Sequence, residues 1–164
     1  MTRWTIMALL LAAVATGPAR ADPAADLQDC IVHGQTLVKT DAAKVAAACG
    51  RLADSGNAEG ELQFGALFET GQGVTQNFAK AAVWYKAAAE QGLARAQYSL
   101  GYMYERGVGV PQDNILAHLW YNLAAAQGVP DAAQARDFVA HRMSLSQIAT
   151  AQKLAADWRP KPHS

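Results

Sequence analysis

From residue 58 to 129, apolar positions recur at helical spacing and are broken at regular intervals by glycine. In Ala94–Arg106, the residues Ala96, Leu100, Met103 and Tyr104 fall on one helical face. Gly107 and Gly109 follow, and a left-handed residue at a helix terminus is cheapest as glycine. Beyond Pro111, Asp113 is placed as the N-cap of a second helix. That helix carries Leu116, Ala117, Trp120, Tyr121 and Ala124 on one face and stops at Gly128. The spacing therefore predicts a helical hairpin, helix A then helix B, joined by a glycine turn.

The same hairpin is written once before. Residues 58–93 align with 94–129 at an offset of 36. Gly65, Gly71 and Gly73 meet Gly101, Gly107 and Gly109, while Trp84-Tyr85 and Gln91-Gly92 meet Trp120-Tyr121 and Gln127-Gly128. A fixed period of this length marks a stacked unit that buries its apolar face against the next copy. Gly65 and Gly101 stand where helix A must pass close to its partner. Hardly any alternating β-branched pattern is present, so the chain reads as all-α with no sheet.

The flanks read as ends of the stack. Two helices, over 24–38 and 42–55, are expected to meet at a turn near Lys39-Thr40-Asp41. Cys30 and Cys49 lie about equally far from that turn, so an antiparallel hairpin sets them at one height. That favours a disulfide over two buried thiols or a metal pair, for which only His33 is near. Downstream, 132–143 takes the helix-A slot, but Asp137 stands where Gly65 and Gly101 stood. Ser144 to Gln147 then spells a capping box, stapled by Met143 and Ile148. Its helix should run to about Trp158, with Ile148, Ala151, Leu154, Ala155 and Trp158 closing the stack.

Residues 1–21 read as a secretory signal. Arg3 gives a basic start, 4–15 is almost unbroken apolar, and Ala19-Arg20-Ala21 fits a small-x-small cleavage site, which favours cleavage over a retained anchor. The expected layout is thus a signal (1–21), an N-terminal hairpin (22–57), two repeats (58–93 and 94–129), a C-terminal half-repeat with its cap (130–159) and a tail (160–164). Without Arg3 and Arg20, 12 Lys and Arg face 14 Asp and Glu, a net charge of −2. No basic stripe suggests nucleic-acid binding. Export, then, points to the periplasm, with no permanent membrane span.

The pattern A-x-x-x-L-G-x-x-Y-x-x-G-x-G-V-x-x-D followed by A-x-x-W-Y-x-x-A-A-x-x-G resembles the Sel-1-like repeat, a tetratricopeptide-related family. Its carriers run from Ala96, Leu100, Gly101 and Tyr104 through Asp113 to Trp120, Tyr121 and Gly128. The first copy departs mildly, with Gly60, Phe64, Phe68 and Asn77. The resemblance implies a right-handed α-solenoid of helix–turn–helix repeats with capping helices, used as an adaptor for protein contacts. Some cysteine-rich exported members are linked to β-lactams, but their regular cysteine pairs are missing here.

In such stacks the inner face of helix A lines a concave groove. The corresponding positions are Arg95, Tyr98, Tyr102, Glu105 and Arg106, joined from the terminal unit by Phe138, His141 and Arg142. The first-copy equivalents are Glu59, Leu62, Ala66, Glu69 and Thr70, which differ while the packing positions agree. Aromatic residues beside arginine suit an interface. Trp84 and Trp120, sharing one repeat position, read as core. His118 is expected to be partly buried or solvent-facing, and Glu59, Glu61 and Glu69 a solvated acidic face. No S-x-x-K, G-x-S-x-G, H-E-x-x-H, phosphate loop or haem site occurs. The expectation is a monomeric, cofactor-free, non-enzymatic adaptor for a protein or peptide of the bacterial envelope. The alternatives are a regulator of a membrane sensor and, further off, an enzyme or ligand binder acting on β-lactams or cell-wall fragments.

Overall fold

The computed structural model describes residues 22–35 and 41–161, which form eight helices. They are α1 (Pro23–Gln35), α2 (Ala42–Asp54), α3 (Ala58–Thr70), α4 (Phe78–Glu90), α5 (Ala94–Arg106), α6 (Asn114–Ala126), α7 (Ala132–Ala140) and α8 (Leu145–Asp157). No strand occurs among the described residues. The signal segment, the turn near Lys39 and Thr40, and the tail beyond 161, including His163, lie outside them. The side chain of His33 does too.

Each helix packs on the next in sequence from α1 to α7, and α8 turns back onto α6. The result is an α-solenoid whose core is built largely from small residues. Ala81, Ala82, Ala88, Ala89 and Ala96 pack with Leu62, Leu100, Met103 and Trp120 in its centre. Capping follows the sequence: Asn57 accepts from the Gly60 N–H, Asn77 from Lys80, and Asp113 from Ile115 and Leu116. Gly71 and Gly107 close α3 and α5 at φ of 76° and 67°.

Two close approaches set the spacing. A Cβ on Gly101 would sit 2.8 Å from the Tyr121 ring, and one on Gly65 would sit 2.8 Å from Tyr85. The glycine thus lets helix B lay a tyrosine flat on helix A. Gly73 and Gly109, expected only to end helices, do something further. An added Cβ there would meet the carbonyl oxygens of Ala42 and Phe78 at 2.1 and 2.2 Å. Each turn therefore seats on the first turn of the preceding helix B. The departure at Gly60 has a similar cause, since a Cβ would fall 2.4 Å from that of Leu52.

The termini are tied down. Cys30 and Cys49 are joined, both buried, with Cα atoms 4.9 Å apart. Arg51 donates to Asp26 beside them, and this pairing holds the Asp26 carboxyl below its ordinary range. At the other end the Ser144 capping box forms. Helix α7 is shorter than expected and stops at Ala140, because the 144 cap forces residues 141–143 into a tight turn closed by Arg142 N–H to Val139 O. The expected α8 face is only partly covered: Ala151 is buried, but Leu154 is largely exposed. Trp158 meets Trp120 edge-on at 6.4 Å, and beyond it the Lys161 N–H bonds to Glu90 O.

Gly101→Ala should destabilise the fold by about 1–3 kcal/mol, as overpacking does, read as a lower urea midpoint. Reducing Cys30–Cys49 should cost roughly 3 kcal/mol in the same assay.

Candidate functional site: the concave face of the A helices

Helices α3, α5 and α7 occupy the helix-A slots, and their equivalent positions form rows. The first row is Glu59, Arg95 and Asp131, in which Arg95 reaches back to Glu59 at 3.5 Å. Next come Leu62 and Tyr98. Tyr98 leans on the ring of Tyr121 at 5.4 Å and helps line a cleft of about 440 Å³ with Leu62, Ala66, Tyr85 and Val129, Arg95 at its rim. A smaller hollow of about 260 Å³ adjoins it across Gln63 and Ala66 and is walled by the Cys30–Cys49 disulfide and Leu67.

Tyr102 and Phe138 share the following row and are exposed, at 40% and 56%. Each lies under an arginine of its own unit. The Arg106 guanidinium is 5.7 Å from the Tyr102 ring centroid, and that of Arg142 is 4.8 Å from Phe138. His141 is exposed in the turn after α7, its Nδ1 2.7 Å from Asp137 O.

Glu105 departs from the expected groove surface. It is buried, its Oε2 accepts the Tyr121 hydroxyl at 2.8 Å, and its Oε1 accepts from Arg142 at 3.3 Å. Its counterpart Glu69 accepts from Tyr85 in the same way. Burial first, and then the carboxylate beside each hydroxyl, push both tyrosines well above their ordinary pKa, so they stay neutral donors. Glu69 and Glu105 are the one groove position identical in the two copies. That identity was the available signal that they belong to the packing. The acidic face fails for the same reason: Glu61 is buried and accepts from Gln91, while Glu59 is half-buried and pairs with Arg95.

A second polar series went unread. Gln91 bonds to Gly56 O and Glu61, while Gln127 bonds to Gly92 O and Gln97, so each glutamine stitches one hairpin to the preceding loop. Trp120 is buried as expected, and Trp84 packs on Phe64 at 5.4 Å. His118 is more deeply buried than expected, and its Nδ1 finds no partner among the described residues. Burial, and next the nearby Arg136, hold its pKa below the ordinary histidine value, with Asp137 opposing.

The described groove holds no nucleophile set against a base, and no three His, Cys, Asp or Glu gather there as metal ligands. What it offers is apolar surface, exposed rings and guanidinium groups. The sequence matches the Sel1 repeat profile over 58–93 and again over 94–129. A crystal structure of a Sel1 repeat protein from Oxalobacter formigenes is 36% identical with a TM-score of 0.61, over 66% of this chain and 83% of that one. The chain belongs to the Sel1 repeat family. The fold is also that of c5321, a protective antigen of uropathogenic Escherichia coli strains with an SLR fold. There the TM-score is 0.79 at 24% identity, over 84% of this chain but only 30% of that one. No curated protein matches the sequence. Sel1 repeats are generally protein–protein interaction modules, and their fold is typically a non-catalytic scaffold.

His118 supplies a pH test. The unfolded chain takes up a proton near pH 6.5 that the folded one accepts only at lower pH. Stability should therefore be full above about pH 6.5 and decline as pH falls below it. Urea midpoints between pH 7.5 and 5 should show this decline, and His118→Gln should flatten it.

Proposed function

We propose that this Sel1 repeat protein is an exported adaptor that holds a segment of an envelope protein against the concave face of α3, α5 and α7. The observation that carries the reading is the apolar cleft between α3 and α5, continued by exposed Tyr102 and Phe138 with their arginines. Buried aromatic and arginine anchors are the residues on which interface energy concentrates. Between the two copies the packing positions agree, while Leu62, Ala66 and Thr70 become Tyr98, Tyr102 and Arg106. One scaffold thus presents a different chemistry at each step along the groove.

Export is supported by the basic-apolar-small pattern of residues 1–21 and by the buried disulfide, a bond that persists in oxidising compartments. No described helix is long and apolar enough to cross a membrane. A periplasmic location fits both. With a single short row of A helices, the groove suits a peptide, a loop or a domain edge better than a large partner.

Affinity capture from envelope extracts tests the groove. A partner retained by the wild type should be lost from Tyr98→Ala/Tyr102→Ala/Arg106→Ala and kept by Val83→Ser, a change at an exposed position of α4. Equal capture by the triple variant rejects the assignment.

A further inference from the structure

Two guanidinium groups converge on a single buried carboxylate. Arg142 donates to Glu105 Oε1 at 3.3 Å, and the Nε of Arg106 lies 3.8 Å from the same oxygen. The other oxygen is committed to Tyr121, so Glu105 is anchored from below and cannot swing out to meet solvent. Its side chain is 7% exposed, whereas those of Arg106 and Arg142 are 61% and 39% exposed. One negative charge therefore holds two positive ones in place, leaving a net positive charge directed outward. Each guanidinium is also braced from the side by its own ring, Tyr102 or Phe138. Such bracing removes much of the rotamer freedom that an arginine would otherwise lose on binding.

The two units are successive copies of one arrangement, an aromatic followed four residues later by an arginine, at an offset of 36. In the first copy these positions are Ala66 and Thr70, so the pairing is confined to the C-terminal half of the groove.

We propose that the Tyr102–Arg106 and Phe138–Arg142 pairs form a receptor for an acidic side chain in the middle of an extended partner segment. The Asp or Glu carboxylate sits between the guanidiniums, and a neighbouring apolar side chain lies on the exposed rings. A guanidinium presents paired N–H donors that match a carboxylate. The carboxylate belongs to a side chain and not to a chain terminus because the groove does not end here. It continues past Tyr98 into the apolar cleft, which leaves room for the segment to run on. This assignment rests on the concave-face reading above and names the chemistry of its partner.

The test uses the purified protein as bait for a random peptide library displayed by its C-terminal end, so that no free carboxyl terminus is offered. Winning peptides are then made with amidated C-termini, each beside a version with Glu→Gln or Asp→Asn. Enriched peptides should carry an acid next to an aromatic or aliphatic residue. The wild type should prefer acid over amide by roughly tenfold, the scale of one charge-assisted hydrogen bond. In Arg106→Gln/Arg142→Gln, at two partly exposed positions, that preference should fall to near one. Tyr98→Ala should weaken acid and amide peptides alike. Failure to enrich, winners without an acid, or an acid preference that survives loss of both arginines would each overturn the proposal. If acid-independent peptides bind and are lost from Tyr98→Ala, the groove stands and only its acidic specificity falls. If binding ignores Tyr98 as well, the concave-face reading falls with it.

Discussion

The closeness of one tyrosine to one glycine governs the rest of this fold. At Gly101 the Tyr121 ring lies where a Cβ would need to be, and at Gly65 the Tyr85 ring does the same. Only a residue without a side chain lets the ring lie against helix A. Once there, the hydroxyl reaches a glutamate one turn further along that helix, Glu105 or Glu69. A buried carboxylate without a partner would be costly, and so would an unpaired hydroxyl. Satisfying each other, they fix the two helices in rotation as well as in distance. The groove-facing rows inherit their order from this.

The same bond explains how a packing interaction comes to shape a surface. Glu105 is held on one side by Tyr121, and its remaining oxygen faces outward to the arginines of two successive units. The first copy lacks this continuation, since Thr70 replaces the arginine. Closely similar hairpin cores thus support unlike faces, which is how a repeat array acquires local specificity. Stacking between hairpins depends on other devices: the second turn glycine against the preceding helix B, and the glutamine that bridges to the preceding loop. The ends need extra ties because each has only one neighbour. The disulfide and the Asp26–Arg51 pair serve at one end, and Trp158 with Lys161 at the other.

Most of the fold was legible because repetition separates two kinds of position. Residues that recur at one offset, such as Gly65 and Gly101 or Tyr85 and Tyr121, are held by packing common to both hairpins. The disulfide could be read from hairpin height together with the export pattern and the shortage of nearby metal ligands. The misreadings share a cause. Helical periodicity points Glu105 to the groove, since it reports direction from the axis and not what a neighbouring helix covers. The polarity of Glu61 points to solvent, and His118 beside the Trp120 core reads as partly buried or solvent-facing, yet both are buried against adjacent helices. The repeat offset assigns 132–143 a full helix A, whereas the capping box at Ser144 competes for its last residues and α7 stops at Ala140. The groove itself was less legible, because its rows vary between copies and variation carries no internal check.

The proposed binding on the concave side rests on the cleft between α3 and α5 and on the exposed rings of Tyr102 and Phe138. Helix α6, by contrast, is largely enclosed by its neighbours. Hydrogen exchange on the protein, with and without a bound peptide or captured partner, examines this most directly. Added protection should appear along Ala58–Thr70, Ala94–Arg106 and residues 138–143, with Phe78–Glu90 and Leu145–Asp157 unchanged. Protection confined to those last two helices would place the partner on the opposite side and contradict the account.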